Sequence, residues 1–204
     1  MDVEIHIISG NRREGYERQF EQLAGCQHMF DVLHLRDKSL SKEDMFLWAS
    51  QALEMGIHPK KIMINHFPDV ADSLHVKGVQ LGYGSSSILE VKENFPSLLV
   101  GTSVHSYTEA KMKERLKADF LILGHIFETP SHPNIPPIGI STLKKVKETV
   151  SIPVIAIGGV TVKTLPMLLK AEVDGVAIRS TVWKAKHIEK VLAMLHEKGD
   201  DMYV

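Results

Sequence analysis

The stretch Pro153-Val154-Ile155-Ala156-Ile157-Gly158-Gly159-Val160-Thr161 decides how the chain reads. A short β-branched run meets a Gly-Gly loop, and Thr161 then opens a longer segment of helical period. The same unit recurs along the chain. Strands are expected at Val3 to Ile8, Asp31 to Arg36, Lys61 to Asn65, Gly78 to Leu81, Leu98 to Ser103, Asp119 to Gly124, Pro153 to Ile157 and Asp174 to Ile178. Helices are expected between them. Ser41 caps one, with Asp44 three residues on and Gly56 as its stop. Tyr107 to Lys117 forms another, with Ala110 and Leu116 inward. Ser141 caps a helix through Val150, and Pro153 ends it. Thr161 caps Val162 to Ala171, where Pro166 demands a kink or a delayed start. Lys186 to Glu197 forms the last, closed by Gly199. Pro68 to Lys77 and Gly84 to Phe95 carry the weakest pattern.

Strand alternating with helix implies a parallel sheet covered by helices. Eight units in 204 residues leave about 25 residues each, so the expected fold is α/β, a compact (β/α)8 TIM barrel spanning 1–204 as one domain. A doubly wound open sheet is the rival. It usually carries a Gly-rich fingerprint after its first strand, and Ser9-Gly10-Asn11-Arg12 is none.

Composition narrows the function. A net charge of −1 offers no field for nucleic acid or an anionic membrane. No apolar run approaches the roughly 20 residues that span a bilayer. The acidic start Met1-Asp2-Val3-Glu4 does not read as a signal peptide, and the single cysteine, Cys26, suits a reducing cytoplasm. The unusual feature is the 11 histidines.

In a barrel, ligands bind where strands end at their C-terminal side. Gly158-Gly159 after the seventh strand and Arg179-Ser180-Thr181 after the eighth suit a phosphate, whose oxygens the backbone amides can approach. A Gly pair can also make only a tight turn. Alternation places His34, Arg36 and Lys38 on one face of the second strand, suited to a carboxylate or second anion. The competing reading is a solvated rim with an Arg36–Asp37 interaction. His34, His66, His105, His125 and His132 fall at or just past strand ends. His125, between glycine and apolar residues, is the candidate for proton transfer. The spacing gives no zinc motif, so neither metal nor cofactor is expected.

Three runs then carry a resemblance. They are Val100-Gly101-Thr102-Ser103-Val104-His105-Ser106, Ala118 through Gly124-His125-Ile126-Phe127-Glu128-Thr129, and Ser151 through Gly158-Gly159-Val160. Together they resemble the thiamine phosphate synthase superfamily, and Gly-His-Ile-Phe-Glu-Thr resembles its TenI branch, the thiazole tautomerases. Departures matter. Where synthases carry an Asn-Asp pair that helps hold magnesium, this chain has Asn65-His66. Where a second magnesium aspartate is expected, it has Gly82-Tyr83-Gly84-Ser85. His132 replaces a pyrophosphate-binding lysine, and His34 a glutamine.

The resemblance implies a thiazole phosphate tautomerase of thiamine biosynthesis. His125 would be catalytic. Arg36, Lys38, Asn65, Ser103 and His105 would meet a small-molecule thiazole phosphate carboxylate. Gly158, Gly159 and Ser180 would hold its phosphate. A divergent thiamine phosphate synthase and a non-catalytic ligand-binding regulator are the alternatives, and homo-oligomerisation is left open.

Overall fold

A computed structural model describes residues 3–12 and 15–200; Met1-Asp2, part of the start that does not read as a signal peptide, lies outside them. Eight strands alternate with helices: β1 (Glu4–Ile8), α1 (Glu17–Gly25), β2 (Val32–Leu35), α2 (Lys42–Glu54), β3 (Ile62–Asn65), α3 (Pro68–Ser73), β4 (Gly78–Leu81), α4 (Ile88–Asn94), β5 (Leu99–Val104), α5 (Tyr107–Arg115), β6 (Phe120–Gly124), α6 (Gly139–Thr149), β7 (Val154–Ile157), α7 (Leu165–Leu169), β8 (Gly175–Ile178), α8 (Ser180–Trp183) and α9 (Ile188–Asp200). The strands pair in chain order and β8 returns to β1, closing a parallel barrel. The register runs from His6 opposite Val32 round to Ile5 opposite Val176. The expected (β/α)8 barrel is the observed one, and all eight expected strands are present within a residue or two of their bounds.

Alternation along each strand builds two cores. Ile8, Val32, Met63, Phe120, Ile122, Ile155 and Ala177 fill the barrel. The intervening residues, such as Ile7, Leu33, Ile64 and Val176, pack beneath the helices. An aromatic cluster joins three helices there. Phe20 of α1 meets Tyr16 at 5.1 Å, Trp48 of α2 at 6.0 Å and Trp183 of α8 at 6.1 Å between ring centroids. Cys26 closes α1; it is buried, and its thiol donates to the Gln22 carbonyl at 3.1 Å. Burial pushes its pKa up, so it serves as a packing residue.

The helix ends follow local chemistry where the cap is simple. The Ser41 hydroxyl accepts the Asp44 amide at 3.1 Å, as expected. Three helices differ from expectation. α6 starts before Ser141, because its first amides follow from the loop held by Ile138 and Gly139 on the carbonyls of His125 and Ile126. Thr161 caps a turn with Thr164 rather than a helix, and α7 starts at Leu165 with Pro166 in its first turn, the delayed start Pro166 predicts. α9 runs through Gly199, whose helical context outweighs its weak propensity. α3 and α4 fall within the two stretches of weakest pattern, and α1 and α8 were given no bounds from the sequence.

At the N-terminal end of the barrel a device repeats. Asp31, Asp119 and Asp174 each precede an even-numbered strand. Each accepts the amide of the odd strand before it: Ile5 at 2.8 Å, Val100 at 2.5 Å and Val154 at 2.7 Å. Lys92 and Lys147 pair with the second and third of these carboxylates. No helix of the described residues is long and apolar enough to cross a membrane.

Candidate active site

The strands' C-terminal ends open on a mouth lined by imidazoles and guanidiniums. His125 follows β6 directly, is buried, and places Nε2 3.1 Å from the Ile135 carbonyl. A carbonyl only accepts, so Nε2 carries the hydrogen and Nδ1 keeps a lone pair free to take a proton. His105, just past β5, donates from Nδ1 to the Gly124 carbonyl at 2.5 Å, bracing the residue before His125. His132, on the loop leading to α6, stacks on His125 with centroids 4.9 Å apart.

The Gly pair after β7 has a packing reason. Gly158 has φ +96°, and a Cβ there would lie 2.2 Å from the Cβ of His125. Gly159 has φ +68°, and its Cβ would lie 2.7 Å from the Phe127 Cβ and the Glu128 carbonyl oxygen. Only glycine fits either place. The loop after β7 is thus pressed against the loop carrying His125, and the glycines are needed even before any ligand is considered.

Beside them lies an open cleft of about 200 Å³, lined by Pro130, Ser131, Arg179, Ser180, Trp183 and Lys184. α8 begins at Ser180, and the first amides of a helix have no partner within it. Arg36, after β2, lies within electrostatic reach of Arg179 of this cleft. Burial lowers its pKa, and the Arg179 charge lowers it further, while Asp37 opposes both. Asp37 is itself buried and receives the Arg12 and Ser39 amides, both at 2.9 Å. It ties the loops after β1 and β2 together and is not half of a solvated surface pair. Among the described residues no hydrogen bond or ion pair engages either guanidinium, and two like charges that act on each other suit an anionic ligand. Lys184 lines the cleft without having been expected there; Arg179 belongs to the stretch after the eighth strand that suits a phosphate, though no separate role was expected of it.

The other expected residues divide. Lys38 is exposed past β2, Asn65 ends β3 half-buried, and Ser103 is exposed in β5, accepting from Gln80 Nε2 at 3.3 Å. All three stand at the mouth. His66, with φ +78°, bridges to the Ser85 hydroxyl at 2.7 Å and fastens the loop after β3 to that after β4. His34 is not on the rim. It lies inside the barrel, 1% exposed, with Nε2 3.0 Å from His6 Nδ1, and His6 in turn reaches Glu4 at 2.9 Å. Its Nδ1 has no partner, and burial holds it well below the ordinary imidazole range. Alternation gives His34 the inward face it has, but its ring is turned onto His6 within the barrel rather than out to the mouth.

The ends of β3 and β4 present Asn65, His66, Gly82, Tyr83, Gly84 and Ser85, with no carboxylate. Among the described residues no group of three or more His, Cys, Asp or Glu could hold a metal ion.

Comparison with known proteins follows this geometry. The family model described as thiamine monophosphate synthase matches residues 5–182. A putative thiamine-phosphate synthase 2 of Aquifex aeolicus is 37% identical over 147 residues, 72% of this chain and 79% of that protein. The thiamine-phosphate synthase of Pyrococcus abyssi is 39% identical over 129 residues, 63% of this chain and 62% of that protein's length. A solved thiamine phosphate pyrophosphorylase from Pyrococcus furiosus superposes with a TM-score of 0.84 at 28% identity, covering 100% of this chain and 98% of that one. A 3-hexulose-6-phosphate synthase, at 16% identity and a TM-score of 0.73, shares the fold.

Proposed function

The chain belongs to the thiamine monophosphate synthase family, and from that premise we propose that it is a thiazole phosphate tautomerase acting in thiamine biosynthesis. The observation that carries the reading is His125, a buried imidazole whose Nε2–H is committed to the Ile135 carbonyl and whose Nδ1 is free. Nδ1 takes a proton from the ring carbon that bears the carboxylate. The released electron pair moves through the ring to the exocyclic double bond. The exocyclic carbon takes the same proton back from the imidazolium, so the enzyme returns unchanged and the thiazole is aromatic. Acid–base help of this kind is worth roughly 10²–10⁴-fold. Arg36 and Lys38 are assigned to the carboxylate. Ser180 with Arg179, and the amides after Gly158 and Gly159, are assigned to the phosphate. Asn65, Ser103 and His105 complete the wall.

The resemblance to synthases implies magnesium, which favours near-octahedral hard oxygen ligands. The donors at the ends of β3 and β4 include no carboxylate and do not fit it, so no step here runs through that ion.

A divergent thiamine phosphate synthase is the second reading, favoured by the names of the relatives. One pair of assays separates the two. Following the ultraviolet spectrum of the thiazole tautomer, the first reading expects accelerated aromatisation, insensitive to chelator. It expects His125→Ala to lose that acceleration while still binding the aromatic phosphate. Thiamine phosphate formed from pyrimidine pyrophosphate and thiazole phosphate with magnesium, without tautomer turnover, establishes the second reading instead.

A further inference from the structure

The loop between β6 and α6 returns a second imidazole to the first. The His132 ring stacks on the His125 ring, 10° from parallel, with centroids 4.9 Å apart. His132 is otherwise exposed, so core packing does not require it there. The charged and titratable groups that act on the pair come from several elements. His105 comes from the end of β5, and Arg36 and Lys38 from beyond β2. Arg179, after β8, acts in turn on Arg36. Three carboxylates lie along these segments, one of them Asp37, between Arg36 and Lys38 and acting on Arg36. Glu128 is exposed on the same loop, and Glu109 of α5 is turned to the His105 amide at 2.6 Å.

We infer that His125 and His132 form one titrating unit that holds at most one proton, and that an anion bound at the mouth raises the unit's affinity for that proton. His132 is thereby a positioning residue that sets the basicity of His125. The consequence for catalysis rests on the tautomerase reading; the coupling itself does not.

The physics is direct. Two imidazolium rings face to face at this distance repel, so protonating one opposes protonating the other and the pair titrates jointly. Burial, then His125, His105, Arg36 and Lys38, hold His132 below the ordinary imidazole range. A phosphate or carboxylate beside Arg36 and Lys38 reverses the local field, and linkage then couples anion binding to proton affinity in both directions. In turnover this strengthens His125 as a base when a carbon-bound proton must be taken. The proton that reaches Nδ1 meets a neutral neighbouring ring.

The test follows the ring proton signals of both histidines by nuclear magnetic resonance against pH, with and without saturating inorganic phosphate. Both signals are expected to move with one shared midpoint, which phosphate raises by about one pH unit or more. His132→Lys puts a fixed charge on the stack and is expected to lower the His125 midpoint by about one unit, moving the acid limb of kcat/KM with it. His132→Phe keeps a stacked ring and leaves His125 titrating alone. Independent midpoints, or a His125 midpoint indifferent to phosphate or to His132→Lys, overturn the unit. These titrations need no turnover. Coupled rings in a protein without tautomerase activity remove the proposed function and leave the unit standing. Tautomerase activity with uncoupled rings does the reverse.

Discussion

Gly158→Ala tests the packing of the site at a single atom. The added Cβ would sit 2.2 Å from the His125 Cβ and 2.7 Å from its Cα, at a φ of +96°. Neither neighbour is the far end of a flexible side chain; both belong to the base of the proposed catalytic histidine. Ordinary contact begins at 3.4 Å, so something must move by more than 1 Å. The backbone strain alone costs about 1–3 kcal/mol. At about 2–4 °C per kcal/mol for a domain this size, the melting temperature should fall by roughly 2–12 °C. Displacement of His125 by about 1 Å should cost on the order of 10²-fold in turnover. The assay is aromatisation rate beside thermal melting, with the His125 ring signal as a local reporter. A variant that keeps its rate within about threefold, with an unshifted His125 signal, refutes the claim that Gly158 sets the position of that ring.

Three further outcomes are expected. Arg179→Ala should weaken binding of inorganic phosphate by about 1.5–3 kcal/mol, or roughly 10–150-fold, with little loss of stability, because it also relieves the charge acting on Arg36; calorimetric titration reads this. Phe20→Ala empties the centre of the aromatic cluster joining α1, α2 and α8, and should cost about 3–5 kcal/mol in urea unfolding. His34 is held neutral in the barrel, with a folded pKa well below 6.5. The unfolded chain therefore binds a proton that the folded protein refuses. Stability contributed by neutral His34 is present above pH 6.5 and falls as pH drops below it, by about 1.4 kcal/mol per unit. Urea midpoints between pH 5 and 7 should show that slope, and His34→Gln should flatten it.

The strands were legible because they are short runs of aliphatic residues, most rich in Val and Ile, that stop at glycine or a polar residue, as buried parallel strands do. The helices were harder. α3 and α4 have seven residues or fewer, too few for a helical period to declare itself. Thr161 failed as a helix cap because its hydroxyl and that of Thr164 satisfy each other's amides first, a local competition invisible in spacing. At the mouth, strand alternation gave the inward faces but not the way a ring turns within the barrel. That is why His34 read as a rim residue and lies in the core, turned onto His6. Arg179 was visible but unweighted, since only the folded chain brings it within electrostatic reach of Arg36, more than 140 residues away in sequence.

The three aspartates at the closed end have a consequence for how such a chain assembles. Their partners lie 26, 19 and 20 residues away, so each bond closes inside a single strand–helix–strand segment. The seam between β1 and β8 joins Glu4 to Gly175, nearly the full length of the chain. Loop-closure entropy makes the short connections far easier to form first. Strand order is thus written locally, pair by pair, before the ring shuts. It is also written at the end remote from His125. The loops at the mouth can exchange one chemistry for another while the instructions for assembly stay untouched.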